Sequence, residues 1–116
     1  MEVTYDVGKN AKHNWQLLDE SNDNDIWIHV NDYPSSYVII RSNDNIINKE
    51  HIKHGCYLCY NKTKNKLNNI LNSKKRISFT YLECKYVKKG KITGEAILLR
   101  SPNIKSFKIS ELANEN

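Results

Sequence analysis

The sequence predicts an α+β domain with about five or six mostly antiparallel strands, one long helix packed on one face of the sheet and a short helix near the N-terminus. Two patterns predict it. Side chains alternate in character along Ile26-Trp27-Ile28-His29-Val30 and again along Val38-Ile39-Ile40-Arg41, which is the period of strands with two unlike faces. From Ile52 onward the period changes to three and four, and Ile52, Cys56, Cys59, Tyr60, Thr63, Leu67 and Ile70 share one helical stripe. A chain of 116 residues has room for a single core. Residues 1–110 are therefore read as one domain and 111–116 as a frayed tail.

Taken in order, Glu2 to Val7 reads as a first strand with Val3, Tyr5 and Val7 on one face, ended by Gly8. Asn10 or Asn14 can cap a short helix that carries Trp15 and Leu18. Lys9 and Lys12 sit at its start, where free backbone N–H groups attract anions; a solvated turn explains the same residues without a ligand. Glu20 to Asn24 is a polar loop. Its carboxylates, with Asp19 and Asp25, lack the spacing of a calcium loop. Asp25 to Val30 and Tyr37 to Arg41 then pair as a hairpin across the Pro34-Ser35-Ser36 turn. Ile26, Ile28, Val30, Val38 and Ile40 form its core face, and Trp27, His29, Tyr37, Ile39 and Arg41 the other. Two fates are open to that second face: a further hydrophobic layer covers it, or it stays accessible as a platform for bases and phosphates.

Asn48 can cap the long helix, which is expected to run from Lys49 to about Leu67 or Leu71. Within it, His51, His54, Cys56 and Cys59 have residue types that suit zinc. On a helix advancing about 100° per residue they spread over roughly 200°, so they do not converge on one ion and no metal is expected. Cys56 and Cys59 belong instead to the buried stripe. Together with Cys84 they make an odd count without a disulfide framework, as in a reducing compartment. After a break over Asn72 to Lys75 and a basic cluster Lys74-Lys75-Arg76, Ile77, Phe79 and Tyr81 mark another strand. Cys84 to Gly94 reads as a basic, glycine-punctuated connection carrying Lys88, Lys89 and Lys91, and Glu95 to Arg100 and Ile104 to Ile109 as two last strands.

Lys and Arg number 18 against 13 acidic residues, a net charge of +5 that favours polyanionic partners, though solubility alone accounts for it. A mean hydropathy of -0.70 goes with the lack of any apolar run long enough for a membrane span or of a signal segment, so a soluble cytoplasmic protein is expected, in the host cytoplasm if viral. Heavy use of Asn, Ile and Lys points to a low-GC genome.

Several stretches resemble the NFACT-R family, the RNA-binding domain of ribosome-quality-control tailing factors. They are Gly8-Lys9-Asn10 with Asn14, Asp25-Ile26-Trp27-Ile28-His29-Val30, Pro34-Ser35-Ser36-Tyr37-Val38-Ile39-Ile40-Arg41, Val87-Lys88-Lys89-Gly90-Lys91 and Gly94-Glu95. Nearly the whole chain is covered, as a standalone member without the other domains of the large factors. Ser35 stands where the family has Gly, and Tyr37 where it has His. The resemblance implies a non-catalytic module, without cofactor, that binds structured RNA (tRNA or rRNA), with DNA and the ribosome as further candidate partners. The expected contact residues are Lys9, Asn10, Lys12, Trp27, His29, Tyr37, Arg41, Lys88, Lys89 and Lys91. Trp27 and Tyr37 would stack on bases from an exposed sheet face, the lysines and Arg41 would neutralise phosphates, and His29 would orient or hydrogen-bond, with the segments around Lys9, Lys75 and Lys89 at the rim. Two other classes compete: a protein adaptor or homodimer docking through Trp27 and Tyr37, and a hydrolase using His29 as base near Asp25 or Cys84, for which no nucleophile motif is present.

Overall fold

The computed structural model describes residues 3–44, 46–66 and 75–113. Its elements in chain order are β1 (Val3–Val7), α1 (Ala11–Glu20), β2 (Ile26–Val30), β3 (Val38–Ser42), α2 (Lys49–Thr63), β4 (Arg76–Glu83), a 3-10 turn (Cys84–Tyr86), β5 (Val87–Lys89), β6 (Ala96–Leu98), β7 (Asn103–Lys108) and α3 (Ile109–Ala113). The main sheet has five strands in the order β1-β3-β2-β4-β7, every pair antiparallel. β5 and β6 pair antiparallel in a small second sheet. This is the α+β class the sequence predicts. The additional strand, β5, lies in the segment expected to be a loop.

The central hairpin divides its faces as the alternation requires. Ile26 pairs with Ile40, Trp27 with Ile39 and Ile28 with Val38. Ile28, Val30, Val38 and Ile40 join Ile52, Cys56, Cys59, Ile77, Phe79, Phe107 and Leu112 in one core, with Val3, Tyr5 and Val7 packed against it. α2 lies on this face because its stripe is apolar, and Gly55 brings it close: a Cβ there would come within 2.6 Å of Ile28 Cδ1. Its N-terminus is closed by a capping box in which Asn48 Oδ1 accepts from the His51 N–H at 3.1 Å and His51 Nδ1 accepts from the Asn48 N–H at 3.1 Å. His51 is thus a cap residue, and His54 packs edge-on against Tyr5 at 4.8 Å between ring centroids. α2 ends at Thr63, short of the expected Leu67 or Leu71, and residues 64–66 form a turn in which the Lys66 N–H donates to the Thr63 carbonyl at 3.0 Å; residues 67–74, with Ile70 and Lys74, lie outside the described residues.

The other face is covered as well. Trp27, Tyr37 and Ile39 form a second core with Leu17 and Leu18 of α1, Leu82, Cys84 and Val87, and Trp15, Tyr86, Ala96 and Leu98 pack against it. Trp27 is 2% exposed and Tyr37 is fully buried, so the stacking platform expected on this face does not exist. The physical reason is that α1 and the β5–β6 hairpin each have an apolar side to bury, and the aromatic face of the sheet is where both bury it. The sheet is the middle of three layers.

The chain end also departs from expectation. Residues 109–113 form α3, whose Leu112 is fully buried in the α2-side core, so residues 111–113 are not the frayed tail expected of them; residues 114–116 lie outside the described residues. Leu112→Ala should lower stability by about 2–5 kcal/mol in urea unfolding, the cost of emptying a buried leucine site. A frayed tail would give no measurable change.

Candidate functional site

The start of α1, the β2–β3 connection and the loop before β6 meet around one cavity of about 650 Å³. Asn10, Ala11 and Asn14 form one wall, Asn31, Asp32, Pro34, Ser35 and Ser36 a second, and residues 92–95 a third, with Trp27, His29 and Thr80 on the sheet beneath. Asn10, Asn14, Trp27, His29, Pro34, Ser35, Ser36, Gly94 and Glu95 among them belong to the motifs singled out in the sequence.

Each wall has a local cause. Asn10 caps α1, its Oδ1 accepting from the His13 N–H at 2.8 Å. Asn14 Oδ1 accepts from the Tyr37 N–H at 3.0 Å and its Nδ2 donates to the Ser35 carbonyl at 3.4 Å, tying the helix to the turn. Gly8 makes room for this: a Cβ at residue 8 would overlap the Asn14 carboxamide. In the turn, Ser35 Oγ accepts from the Val30 N–H at 3.0 Å, a bond that a glycine there has no side chain to make. The third wall is closed on itself, with the Gly90 N–H donating to the Glu95 carbonyl and the Lys91 N–H to Glu95 Oε1, both at 2.9 Å. It is fastened to the molecule by Tyr37 Oη, which donates to the Gly94 carbonyl at 2.6 Å, and by Trp15 Nε1, which donates to the Glu95 carbonyl at 3.0 Å. Gly94 has φ +93° and lies so near α1 that a Cβ would meet Ala11 Cβ at 2.8 Å.

Beneath the walls, the His29 and Trp27 rings lie parallel, 5.6 Å apart with 6° between planes, and Tyr37 meets both edge-on. Burial holds the His29 pKa below its ordinary value, against a backbone hydrogen bond at Val30 that raises it. The imidazole is therefore neutral at pH 7. Burial, aided by the nearby Glu95 charge, pushes the Tyr37 phenol up to about 12. Trp27 Nε1 is buried and has no acceptor among the described residues. An unmet buried donor costs about 1–3 kcal/mol.

The expected contact residues are only partly brought together. Asn10, Trp27 and His29 line the cavity. Lys9 and Lys12 are exposed and adjoin its lining residues Asn10 and Ala11; Lys91 is exposed beside Ile92. Lys88 is exposed on β5. Lys89 is engaged elsewhere, its Nζ 3.1 Å from Asp19 Oδ1 and over the Trp15 ring. Arg41 is drawn to carboxylates, its Nε 3.1 Å from Asp6 Oδ2 and 3.9 Å from buried Asp25 Oδ2. Tyr37 is spent on structure. Lys75 borders a different cavity with Arg76 and Lys108, so the expected rim around Lys9, Lys75 and Lys89 does not form. Lys66, Thr80 and Thr93 line the site without having been singled out by any motif; only pairing of β2 with β4, His29 opposite Thr80, brings Thr80 there. Of the hydrolase arrangement, the Asp25–His29 pair does not come together. Asp25 and His29 stand four residues apart, about 13 Å along an extended strand. The Asp25 carboxylate accepts from the Asn22 N–H at 2.8 Å, and burial pushes the Cys84 thiol up to about 12.

No protein-family model and no curated protein matches the chain. Among solved structures the fold is similar to the C-terminal of the fibronectin/fibrinogen-binding protein from Streptococcus suis, with a TM-score of 0.76 and 21% identity over 92% of this chain. The match spans 41% of that chain. Among the described residues no helix is long and apolar enough to cross a membrane.

The His29 environment fixes a sign for pH dependence. A folded-state pKa below the unfolded value means the unfolded chain binds the extra proton first, so this contribution to stability is full above about pH 6.5 and is lost as pH falls from there through the folded pKa. In His29→Gln, urea midpoints measured at pH 7.5 and pH 5 (about one unit or more to either side of that value) should differ less than in the parent protein. An equal difference in both would place His29 in water.

Proposed function

We propose that this chain is a non-catalytic nucleic-acid-binding module for structured RNA, tRNA or rRNA before DNA, acting in translation or ribosome quality control. The observation that carries the reading is the convergence of the Gly8-Lys9-Asn10, Trp27-Ile28-His29, Pro34-Ser35-Ser36 and Gly94-Glu95 segments on one cavity whose flanks carry exposed lysines. Lys9, Lys12, Lys88 and Lys91 have no ion-pair partner among the described residues, so their charge is directed outward. Free ammonium groups on flexible stems suit phosphates, which they neutralise with release of counterions. The burial of Trp27 and Tyr37 moves affinity from stacking on the sheet to these charges. The similar Streptococcus suis structure is a C-terminal portion of its protein, and the family resembled here also stands at the carboxyl end of its large members. That agrees with an appended binding module.

Binding to tRNA, rRNA fragments and duplex DNA, followed by fluorescence anisotropy between about 50 and 200 mM salt, tests the reading. The expected result is RNA affinity that falls steeply with salt, and a log–log slope about 2–3 shallower in Lys9→Ala/Lys12→Ala/Lys91→Ala, given ~0.7–0.9 per phosphate contact. Binding no stronger than that of a neutral control protein at the lower salt would sink the RNA module and bring protein docking forward.

A further inference from the structure

We infer that the uncovered end of the sheet, where β4 pairs with β7, docks the sugar-phosphate backbone of an RNA stem, with Lys75, Arg76 and Lys108 taking its phosphates. This deepens the proposed function and rests on it for RNA as the source of the backbone, but the site is separate from the cavity at the start of α1. Arg76 and Lys108 stand directly opposite each other in the β4–β7 ladder, and like charges so placed destabilise a sheet. Lys75 joins them around a cavity of about 520 Å³ whose other lining residues are Ile109 and Ser110, so three cations and no carboxylate border one concavity. None of the three has an ion-pair partner among the described residues. Glu111, in α3, accepts from the Lys108 N–H at 3.2 Å and is not part of that lining. Opposed cations raise the energy of the free protein, and a bound anion relieves it.

Arg76 is already held in place. Its Nε donates to Ser106 Oγ at 3.1 Å and its Nη2 to the Ser106 carbonyl at 3.2 Å. Of the five N–H donors of a guanidinium, two are thus engaged, and the other three leave a fork that matches two phosphate oxygens. A side chain fixed before the ligand arrives loses less freedom on binding. The surrounding face has the matching chemistry. Alternation along β4 and β7 sends Ile77, Phe79 and Phe107 into the α2-side core and leaves Arg76, Ser78, Ser106 and Lys108 on the opposite face, where Ser78 pairs with Ser106. α1 and the β5–β6 sheet bury their apolar sides further along that face, on Trp27, Tyr37, Ile39 and Leu82, so Ser106 and Lys108 remain exposed and Ser78 half-buried. The patch offers cations and hydroxyls and no ring on which a base could stack. Ile104, beyond Ser106 along β7, is a single exposed apolar side chain, too little for the apolar centre around which a protein interface is built. Double-stranded RNA, by contrast, is contacted through its phosphates and 2′-hydroxyls without reading of bases, and serine hydroxyls bond to both.

The test titrates the intact chain against three labelled probes, an RNA hairpin with a stem of about 16 base pairs, a single-stranded RNA of the same length and a polyglutamate peptide, at several salt concentrations. The parent protein should bind the stem most tightly. Arg76→Ala/Lys108→Ala should weaken stem binding and flatten its log–log salt slope by about 1.5, at ~0.7–0.9 per phosphate contact. Lys108→Ala alone should flatten it by about half as much while its urea midpoint stays at or above the parent's, because the opposed charges are relieved. Ser106→Glu, which sets a carboxylate beside the Arg76 guanidinium without removing it, should weaken stem binding as well. If the parent binds the stem and all three variants keep its affinity and slope, the inference is overturned and the RNA module stands on its other lysines. A loss of single-strand affinity as large as the loss for the stem would overturn the assignment to a stem. Polyglutamate bound more tightly than either RNA would overturn it in favour of an acidic protein partner. No RNA binding by the parent would overturn this inference together with the RNA reading.

Discussion

One carboxamide holds the arrangement together. Asn14, in the second turn of α1, accepts from the backbone of Tyr37 and donates to that of Ser35, from the space a side chain at Gly8 would occupy. The consequence reaches across three segments. With Tyr37 N–H held by Asn14, the ring of Tyr37 is placed under α1, where its hydroxyl meets the Gly94 carbonyl and anchors the third wall of the cavity. The Gly8 N–H in turn donates to the Tyr37 carbonyl at 2.9 Å. Both backbone groups of Tyr37 are therefore satisfied by the segment that begins α1, which matters because a buried strand residue at the end of its ladder has no strand partner to supply them.

The three-layer build follows from how much each face of the sheet has to hide. The α2 side is aliphatic and is sealed by a 15-residue helix with a capped start. The opposite side carries Trp27, Tyr37 and Ile39, and neither α1 nor a two-stranded sheet is large enough alone to cover it. Both are used, and the joint between them is where the cavity opens. A site at the seam of two covering elements is what incomplete coverage of a large aromatic face produces. The hydrogen bonds of Trp15 and Tyr37 to the residue 94–95 carbonyls cross that seam and keep it from closing or drifting.

Much of this was legible in the sequence. Alternation placed Ile26, Ile28, Val30, Val38 and Ile40 on the face that α2 covers, and the three-four stripe selected Ile52, Cys56, Cys59 and Thr63 as the buried side of α2. Asn10 and Asn48 were readable as caps because short polar side chains before an apolar period have that use. The burial of Trp27 and Tyr37 was not decided by period, since alternation says which residues share a face and is silent on whether another layer arrives. The covering layer comes from α1 together with β5 and β6; Glu95 to Arg100 reads as a strand, but its partner β5, three residues with two lysines, is too short to announce one. Leu112 was missed for a related reason: one leucine in a polar end has no periodicity, and only the gap between α2 and β7 gives it a place to go. Arg41 and Lys89 read as phosphate ligands because composition shows a positive charge and hides its partner; Asp6 and Asp19 are distant in sequence and adjacent in space.

Tyr37 shows how much of the site one side chain can fix. A histidine there would bring a titratable ring into a site that already contains His29, and its shorter side chain would not carry a hydroxyl to the Gly94 carbonyl. Tyrosine spans the distance, and with its phenol pushed up to about 12 it remains a neutral donor through the physiological range. Its edge packs against both Trp27 and His29, so the ring that fastens the third wall also fixes the floor of the cavity. Position 37 thus fixes the shape of a cavity whose ionisable lining residues are His29, Asp32, Lys66 and Glu95.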